Sequence, residues 1–140
     1  MKYVVLVSHG EFADGLKNAV FMLSGQKEEV ISTGLMNGLS ADEFALVFED
    51  RIKEITHDDE IIVLADLIGG SPLTTAMNVL SSKGLLDKAV VIGGMNLPLA
   101  LTTAVMKDNM ELDQLVSVVL PEGQNALKQF ELATEEEDDI

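Results

Sequence analysis

The chain has 140 residues, 47% of them hydrophobic, which is enough for one domain with a buried core. Its net charge of −15 disfavours binding to nucleic acid or to an anionic membrane, and its 4% aromatic content leaves little for stacking on bases. The absence of cysteine excludes disulfide bonds, thiolate catalysis and cysteine-ligated metals. We expect a cytoplasmic protein, because no secretory signal and no apolar run of about 18 residues occurs.

The predicted secondary structure alternates between strands and helices. Short runs rich in Val and Ile predict strands, whereas apolar residues spaced three and four apart predict helices. In chain order these are a strand at 2–7, a helix at 13–23 ending at Gly25, a weak strand at 29–33, a turn at Asn37-Gly38, a helix opened by the Ser40–Glu43 capping box, a strand at 60–65, a helix with Ser71 as N-cap and Pro72 at its first position, a strand at 88–92, a helix at 97–105, a strand at 115–120 and a closing helix at 124–132.

This alternation is typical of an α/β fold with a doubly wound, mostly parallel sheet flanked by helices. We expect residues 1–132 to form the domain and the acidic run 133–140 to be a disordered tail. The helix at 97–105 is apolar on most sides, so we expect other elements or a second subunit to cover it twice.

Two strand ends carry the residues that indicate function. The first strand stops at Ser8-His9-Gly10, and the strand at 60–65 stops at Asp66. In a doubly wound sheet, ligands bind at the carboxyl ends of the strands, where the strand order reverses. If the two strands are neighbours, His9 and Asp66 meet there. The carboxylate would then fix the imidazole tautomer and leave the other ring nitrogen free to attack or to transfer a proton.

Glycines and a serine surround this pair in the sequence. Gly10, Gly69 and Gly70 allow the backbone to approach a ligand closely. The helices that follow them present free N–H groups and a positive dipole end, which suits an anion. We therefore expect Gly10, Gly70 and Ser71 to bind a phosphoryl group, although Ser71 is first of all a candidate helix cap.

Simpler interpretations exist for each residue. His9 and Asp66 could be polar residues that end strands, and His57 lies in a polar loop and is expected at the surface. Two ligands fall short of a metal site, and a triad of Ser71, His9 and Asp66 lacks the Gly-x-Ser-x-Gly elbow. No phosphate-binding loop for nucleotides is present either.

Three motifs resemble the enzyme IIA component of the mannose family of the bacterial sugar phosphotransferase system. They are Val7-Ser8-His9-Gly10-x-Phe12-Ala13-x-Gly15-Leu16, Ala65-Asp66-Leu67-x-Gly69-Gly70-Ser71-Pro72 and Gly93-x-Met95-Asn96-Leu97-Pro98. They occur in the family's order, and the resemblance covers essentially the whole chain. One departure is Leu67-Ile68, where relatives often have an aromatic residue.

The resemblance implies a phosphocarrier that takes a phosphoryl group from phospho-HPr onto His9 and gives it to a separate IIB component. Asp66 would orient the ring, so that Nε2 reacts, and Ser71 would contact the phosphoryl group. No cofactor or metal is expected, nor any nucleic-acid partner or membrane insertion. The family forms homodimers that exchange a last, antiparallel strand, which implies exchange of 115–120 here.

Other functions stay open at this point. Domains of this type also serve as regulatory parts of larger phosphoryl-transfer proteins, including the dihydroxyacetone kinase system. The pair of His9 and Asp66 could instead be the acid and base of a small hydrolase or isomerase. In a third interpretation the chain is a binding module, and His9 only contacts its ligand.

Overall fold

A four-stranded parallel sheet with helices on both faces forms the computed structural model, which describes residues 1–133. The strands, in the spatial order β2-β1-β3-β4, are β1 (Lys2–His9), β2 (Val30–Leu35), β3 (Glu60–Ala65) and β4 (Ala89–Ile92). The helices are α1 (Phe12–Ser24), α2 (Ala41–Arg51), α3 (Ser71–Ser82), α4 (Leu97–Met106) and α5 (Leu112–Asn125), with a short 3-10 turn at Lys107–Asn109.

Both faces of the sheet are buried, which explains why its strands are apolar runs without polar alternation. In β1, Val4 and Leu6 face α1, α4 and α5, whereas Val5 and Val7 face α2 and α3. The helix α4 packs between α1 and α5, so its apolar surface is covered twice, as expected. The predicted α/β architecture is therefore confirmed.

Several local predictions are also confirmed. The strand β3 has the predicted bounds, and α1 is followed by Gly25 in a left-handed conformation with φ of 86°. The capping box of α2 is complete, because the Glu43 N–H donates to the Ser40 hydroxyl at 3.1 Å and the Ser40 N–H donates to the Glu43 carboxylate at 3.0 Å. This cap directs Phe44 and Phe48 into the core.

The last two predicted elements are wrong. Residues 115–120 belong to the helix α5 and form no strand, and the predicted closing helix at 124–132 is absent beyond the end of α5 at Asn125. Burial explains the difference, because Leu115 and Val119 are buried at helical spacing against the α1–α4–α5 core, while Ser117 between them is exposed. The predicted tail at 133–140 lies outside the described residues except for its first position.

Candidate functional site

The strand order reverses between β1 and β3, because the chain continues from β1 outward to β2 and then returns to the opposite side of β1. His9 is the last residue of β1, and Asp66 follows the last residue of β3 directly. The Asp66 N–H donates to the carbonyl of Val7 at 3.1 Å, which extends the pairing of the two strands by one bond. The fold thus brings His9 and Asp66 together at the switch point, as the sequence predicts.

One carboxylate oxygen of Asp66 accepts two hydrogen bonds from His9. Its Oδ2 lies 2.9 Å from the His9 backbone nitrogen and 2.8 Å from ring Nδ1, while Oδ1 accepts the Leu67 N–H at 2.8 Å. A carboxylate can only accept, so Nδ1 carries the proton and the lone pair resides on Nε2. The imidazole side chain is 48% exposed, against 15% for the carboxylate, so the reactive edge of the pair is the histidine.

The hydrogen bonds keep Asp66 ionised. Partial burial of the carboxyl group favours its neutral form, but the bonds donated by the His9 N–H, the His9 ring and the Leu67 N–H outweigh burial. Together they hold the pKa of Asp66 below its usual value. The charge that fixes the ring tautomer is therefore present at neutral pH.

The start of α3 lies against the other edge of the imidazole. A β-carbon on Gly70 would lie 2.9 Å from His9 Cε1 and 3.5 Å from Nε2, so the space beside the ring admits glycine here but no side chain. In the structure the N-cap of α3 is Gly70, and Ser71 is the first helical residue. The prediction that Ser71 is the N-cap is therefore wrong. Ser71 is exposed and makes no capping hydrogen bond, because the extended backbone that an N-cap requires falls on Gly70.

The loop between β1 and α1 is held by contacts that the sequence analysis missed. The Ser8 hydroxyl is fully buried and accepts the Ala13 N–H at 2.7 Å, which satisfies one donor at the start of α1. Gly10, at φ of 55°, donates its N–H to the Leu35 carbonyl at 2.8 Å, so this N–H is already bonded within the fold. The sequence shows only a serine at the end of an apolar strand, and its partner, the Ala13 N–H, is identified by the structure.

The surroundings of His9 are open and partly apolar. The side chains of Phe12, Leu67 and Ile68 are exposed. A separate groove borders the ring on the side of Met36 and Leu39 and has a volume of about 330 Å³. A larger cavity of about 640 Å³ lies at the far ends of α2 and α3 instead. The groove beside His9 thus has about half the volume of that cavity.

His57 and Leu97 lie outside this cluster, and the prediction that His57 is at the surface is confirmed. His57 is exposed and lies beside Gly84, beyond the end of α3 and about 18 Å along that helix from Gly70. Leu97 is partly buried against the core of α1, α4 and α5. Within residues 1–133, no three His, Asp or Glu side chains are grouped as metal ligands, and no helix has the length and hydropathy needed to cross a bilayer.

Comparisons with known proteins agree on one family. Its model, described as "PTS system fructose IIA component", matches residues 3–120. The chain is 25% identical over 114 residues to the fructose-specific EIIA component of Bacillus subtilis (strain 168), covering 81% of this chain and 76% of that protein. It is 25% identical over 126 residues to the mannose-specific EIIAB component of Escherichia coli (strain K12), covering 89% of this chain but 38% of that longer protein.

A solved structure shares the fold over almost its whole length. The mannose/sorbose-specific IIA subunit from Enterococcus faecalis superposes with a TM-score of 0.80 at 24% sequence identity. The match covers 96% of this chain and 98% of that one.

Proposed function

This chain belongs to the family of IIA components of the bacterial sugar phosphotransferase system, and we propose that it carries the phosphoryl group on His9. In this role it accepts the group from phospho-HPr and donates it to the IIB component of a sugar transporter in the cytoplasm. One observation carries the proposal. The Nδ1 of His9 is bonded to an ionised carboxylate, while Nε2 makes no hydrogen bond within the described residues and the imidazole is 48% exposed.

The geometry supports a simple transfer step. The Nε2 lone pair attacks the phosphorus of the phosphohistidine donor, and the donor's P–N bond breaks, with its electron pair returning to the donor ring. The proton on His9 Nδ1 stays in its hydrogen bond with Asp66, which stabilises the positive charge that develops on the imidazole. Transfer to IIB is the same displacement with the roles exchanged.

Gly70 and Ser71 are the proposed phosphoryl-binding residues. The start of α3 carries unpaired backbone N–H groups and the positive end of the helix dipole next to Nε2. The exposed Ser71 hydroxyl is available as a further donor because it makes no capping bond. The N–H of Gly10 is bonded to the Leu35 carbonyl and is not free to bind the phosphoryl group. The proposed role of Gly10 is to let the phosphoryl group come close to the backbone, because it has no side chain.

The shape and charge of the site favour protein partners. The imidazole is exposed beside apolar side chains of Phe12, Leu67 and Ile68, which can be covered by a docking protein. A net charge of −15 suits partners with a basic surface and speeds their encounter. An enzyme acting on a small substrate usually surrounds it in a pocket, and the cavity of about 640 Å³ among the described residues lies at the far ends of α2 and α3, away from His9.

We also propose that the chain forms a homodimer. Residues 127–133, which follow α5, have no regular structure, and the apolar residues Leu127, Phe130 and Leu132 among them are 86–90% exposed. The strand β4 lies at the edge of the sheet, so one side of its backbone is unpaired and can accept a further strand. The proposed partner of that edge is the segment 127–133 of a second copy.

A phosphorylation assay tests the phosphocarrier role. The purified chain is incubated with enzyme I, HPr and phosphoenolpyruvate, and its intact mass is recorded. We expect a single added phosphoryl group that is labile in acid. His9→Ala should gain none, whereas His57→Ala, which removes the other histidine, should gain the group at the wild-type rate.

Two outcomes would contradict this role. If phosphorylated HPr is present and the wild-type chain gains no mass, His9 is not a phosphoryl acceptor. If His9→Ala still gains the group, another residue carries it.

A further inference from the structure

A glycine on the neighbouring strand makes room for the backbone that follows His9. Gly34 is buried in β2, and a β-carbon built on it would lie 1.9 Å from the carbonyl oxygen of Gly10 and 3.1 Å from its carbonyl carbon. Both atoms belong to the main chain, so they cannot swing aside as the end of a side chain would. Gly34 has no positive φ, so the requirement for glycine comes from space alone.

The Gly10 residue is held on two sides by the end of β2. Its N–H donates to the Leu35 carbonyl at 2.8 Å, and its own carbonyl lies over Gly34. In the sheet register, Ser8 is paired with Gly34 and His9 with Leu35. The end of β2 therefore fixes the position of the peptide group immediately after His9.

We propose that Gly34 is a positioning residue for His9. By leaving room for the Gly10 carbonyl, Gly34 fixes where the imidazole lies between Asp66 and the start of α3. The proposal rests on the phosphocarrier role for its effect on phosphoryl transfer, but its geometric part is independent of that role. Gly34 itself touches neither the ring nor its reaction partners.

The displacement caused by a single methyl group is large on the scale of this site. With alanine at this position, the Gly10 oxygen must withdraw by about 1.4 Å to reach the shortest ordinary C···O approach of about 3.3 Å. His9 is one peptide away, and its own backbone N–H donates to the Asp66 carboxylate at 2.9 Å, so a shift of the Gly10 peptide changes how His9 sits against Asp66. The ring must therefore move relative to Asp66. A misplacement of about 1 Å can slow a transfer reaction by about 100-fold.

The test compares Gly34→Ala with Gly15→Ala. Gly15 lies on α1, is exposed, and would place its β-carbon with nothing within 4 Å, so the same substitution is made without the contact. Two quantities are measured for each variant: the rate of phosphoryl transfer from phospho-HPr, and the ¹⁵N spectrum of the His9 imidazole, which reports the tautomer. We expect Gly34→Ala to fold, to react at least tenfold more slowly and to lose the uniform Nδ1–H tautomer. Gly15→Ala should match the wild type in both.

Each other result has a defined meaning. A folded Gly34→Ala chain with the wild-type rate and spectrum overturns the proposal. A Gly34→Ala chain that does not fold also overturns it, because the strain then falls on the sheet and not on the Gly10 loop. If the wild type accepts no phosphoryl group, the phosphocarrier role fails, but the imidazole spectra still decide whether Gly34 positions the ring.

Discussion

The carboxylate of Asp66 connects three parts of the site at once. It accepts the backbone N–H and the ring N–H of His9, and it also accepts the N–H of Leu67 in its own loop. The end of β1, the imidazole and the start of the β3–α3 loop thus share one charged acceptor. Because hydrogen bonds to a charged group are stronger than neutral ones, the ionisation of Asp66 stabilises the folded chain as well as the tautomer.

The pKa of Asp66 predicts a pH-dependent stability. A lowered pKa stabilises the native state above the unfolded-state pKa of about 3.9, and this stabilisation is lost as the pH falls through the lower, native pKa. We expect Asp66→Asn to be about 1 kcal/mol less stable than the wild type at neutral pH, discounted for the partial exposure of the pair. The difference should shrink as the pH falls below the unfolded-state pKa and through the lowered native pKa, because the wild-type carboxyl then becomes protonated.

Urea unfolding at several pH values measures this difference. Asp58→Asn, an exposed carboxylate in the turn before β3, is the matched control and should differ little from the wild type at any pH. A deficit of Asp66→Asn that stays constant from neutral pH to acid would contradict the linkage to ionisation.

The meeting of His9 and Asp66 could be predicted because each follows an apolar strand, and parallel strands end at one edge. Gly34 and Ser8 could not be assigned in the same way. Their roles depend on what lies opposite them, the Gly10 carbonyl and the Ala13 N–H, and such contacts exist only after the chain is folded. Ser71 was misplaced by one position, which lies within the usual uncertainty of a helix end.

At the scale of elements, the β3–α3 loop is seated on the end of β4. Ile68 is 73% exposed, yet a β-carbon on Gly93 would lie 2.1 Å from its Cγ1 and 2.8 Å from its Cδ1. The Met95 N–H also donates to the Ala65 carbonyl at 2.9 Å, which ties the segment after β4 to the end of β3. The loop that begins with Asp66 and ends at Gly70 is therefore supported from the strand beyond it.

This seating predicts a coupled pair of substitutions. Gly93→Ala should destabilise the chain by about 1 kcal/mol, because the added methyl group overlaps Ile68. Ile68→Ala alone should change stability by less than about 0.5 kcal/mol, since its side chain is largely exposed, and it should restore most of the loss when combined with Gly93→Ala. The free energies of unfolding of the two single variants and the double variant measure the coupling. Equal costs of Gly93→Ala with and without Ile68 would show that the contact is unimportant.

The helix α5 shows where local patterns are insufficient. Its Val-rich centre and the residues Pro121 and Gly123 favour a strand followed by a loop. In the structure Gly123 instead lies against α4, because a β-carbon there would lie 3.0 Å from Leu99 Cβ, and its carbonyl accepts the Asn96 side-chain amide at 2.8 Å. Packing against another helix thus overrides the local preference of this segment. In β1 and α1, by contrast, the local preference and the packing favour the same structure.

At the scale of the whole molecule, the sheet has two edges, β2 and β4. An edge strand offers unpaired backbone groups to another chain unless it is covered. In β4 the side chain of Val91 is also 41% exposed, and the apolar segment 127–133 is present in every copy of the chain. This combination supports the proposed self-association through β4.

The proposed dimer predicts the effect of two charges in that segment. Phe130→Asp combined with Leu132→Asp should weaken the dimer by at least tenfold in dissociation constant, because two carboxylates would replace apolar contacts at the interface. Leu46→Asp, which adds a charge at an exposed apolar position of α2, should leave the dimer intact. Light scattering over a concentration series measures the mass. A wild-type chain that stays monomeric at all concentrations would contradict the dimer itself.

The imidazole and the carboxylate that orients it are 57 positions apart in the chain. They meet only where β3 is paired with β1, on the side of β1 opposite to β2. A nascent or partly unfolded chain therefore presents a histidine with no fixed tautomer and no helix terminus beside it. In the proposed phosphocarrier role, only a folded chain would then accept a phosphoryl group, and only such a chain could pass it on.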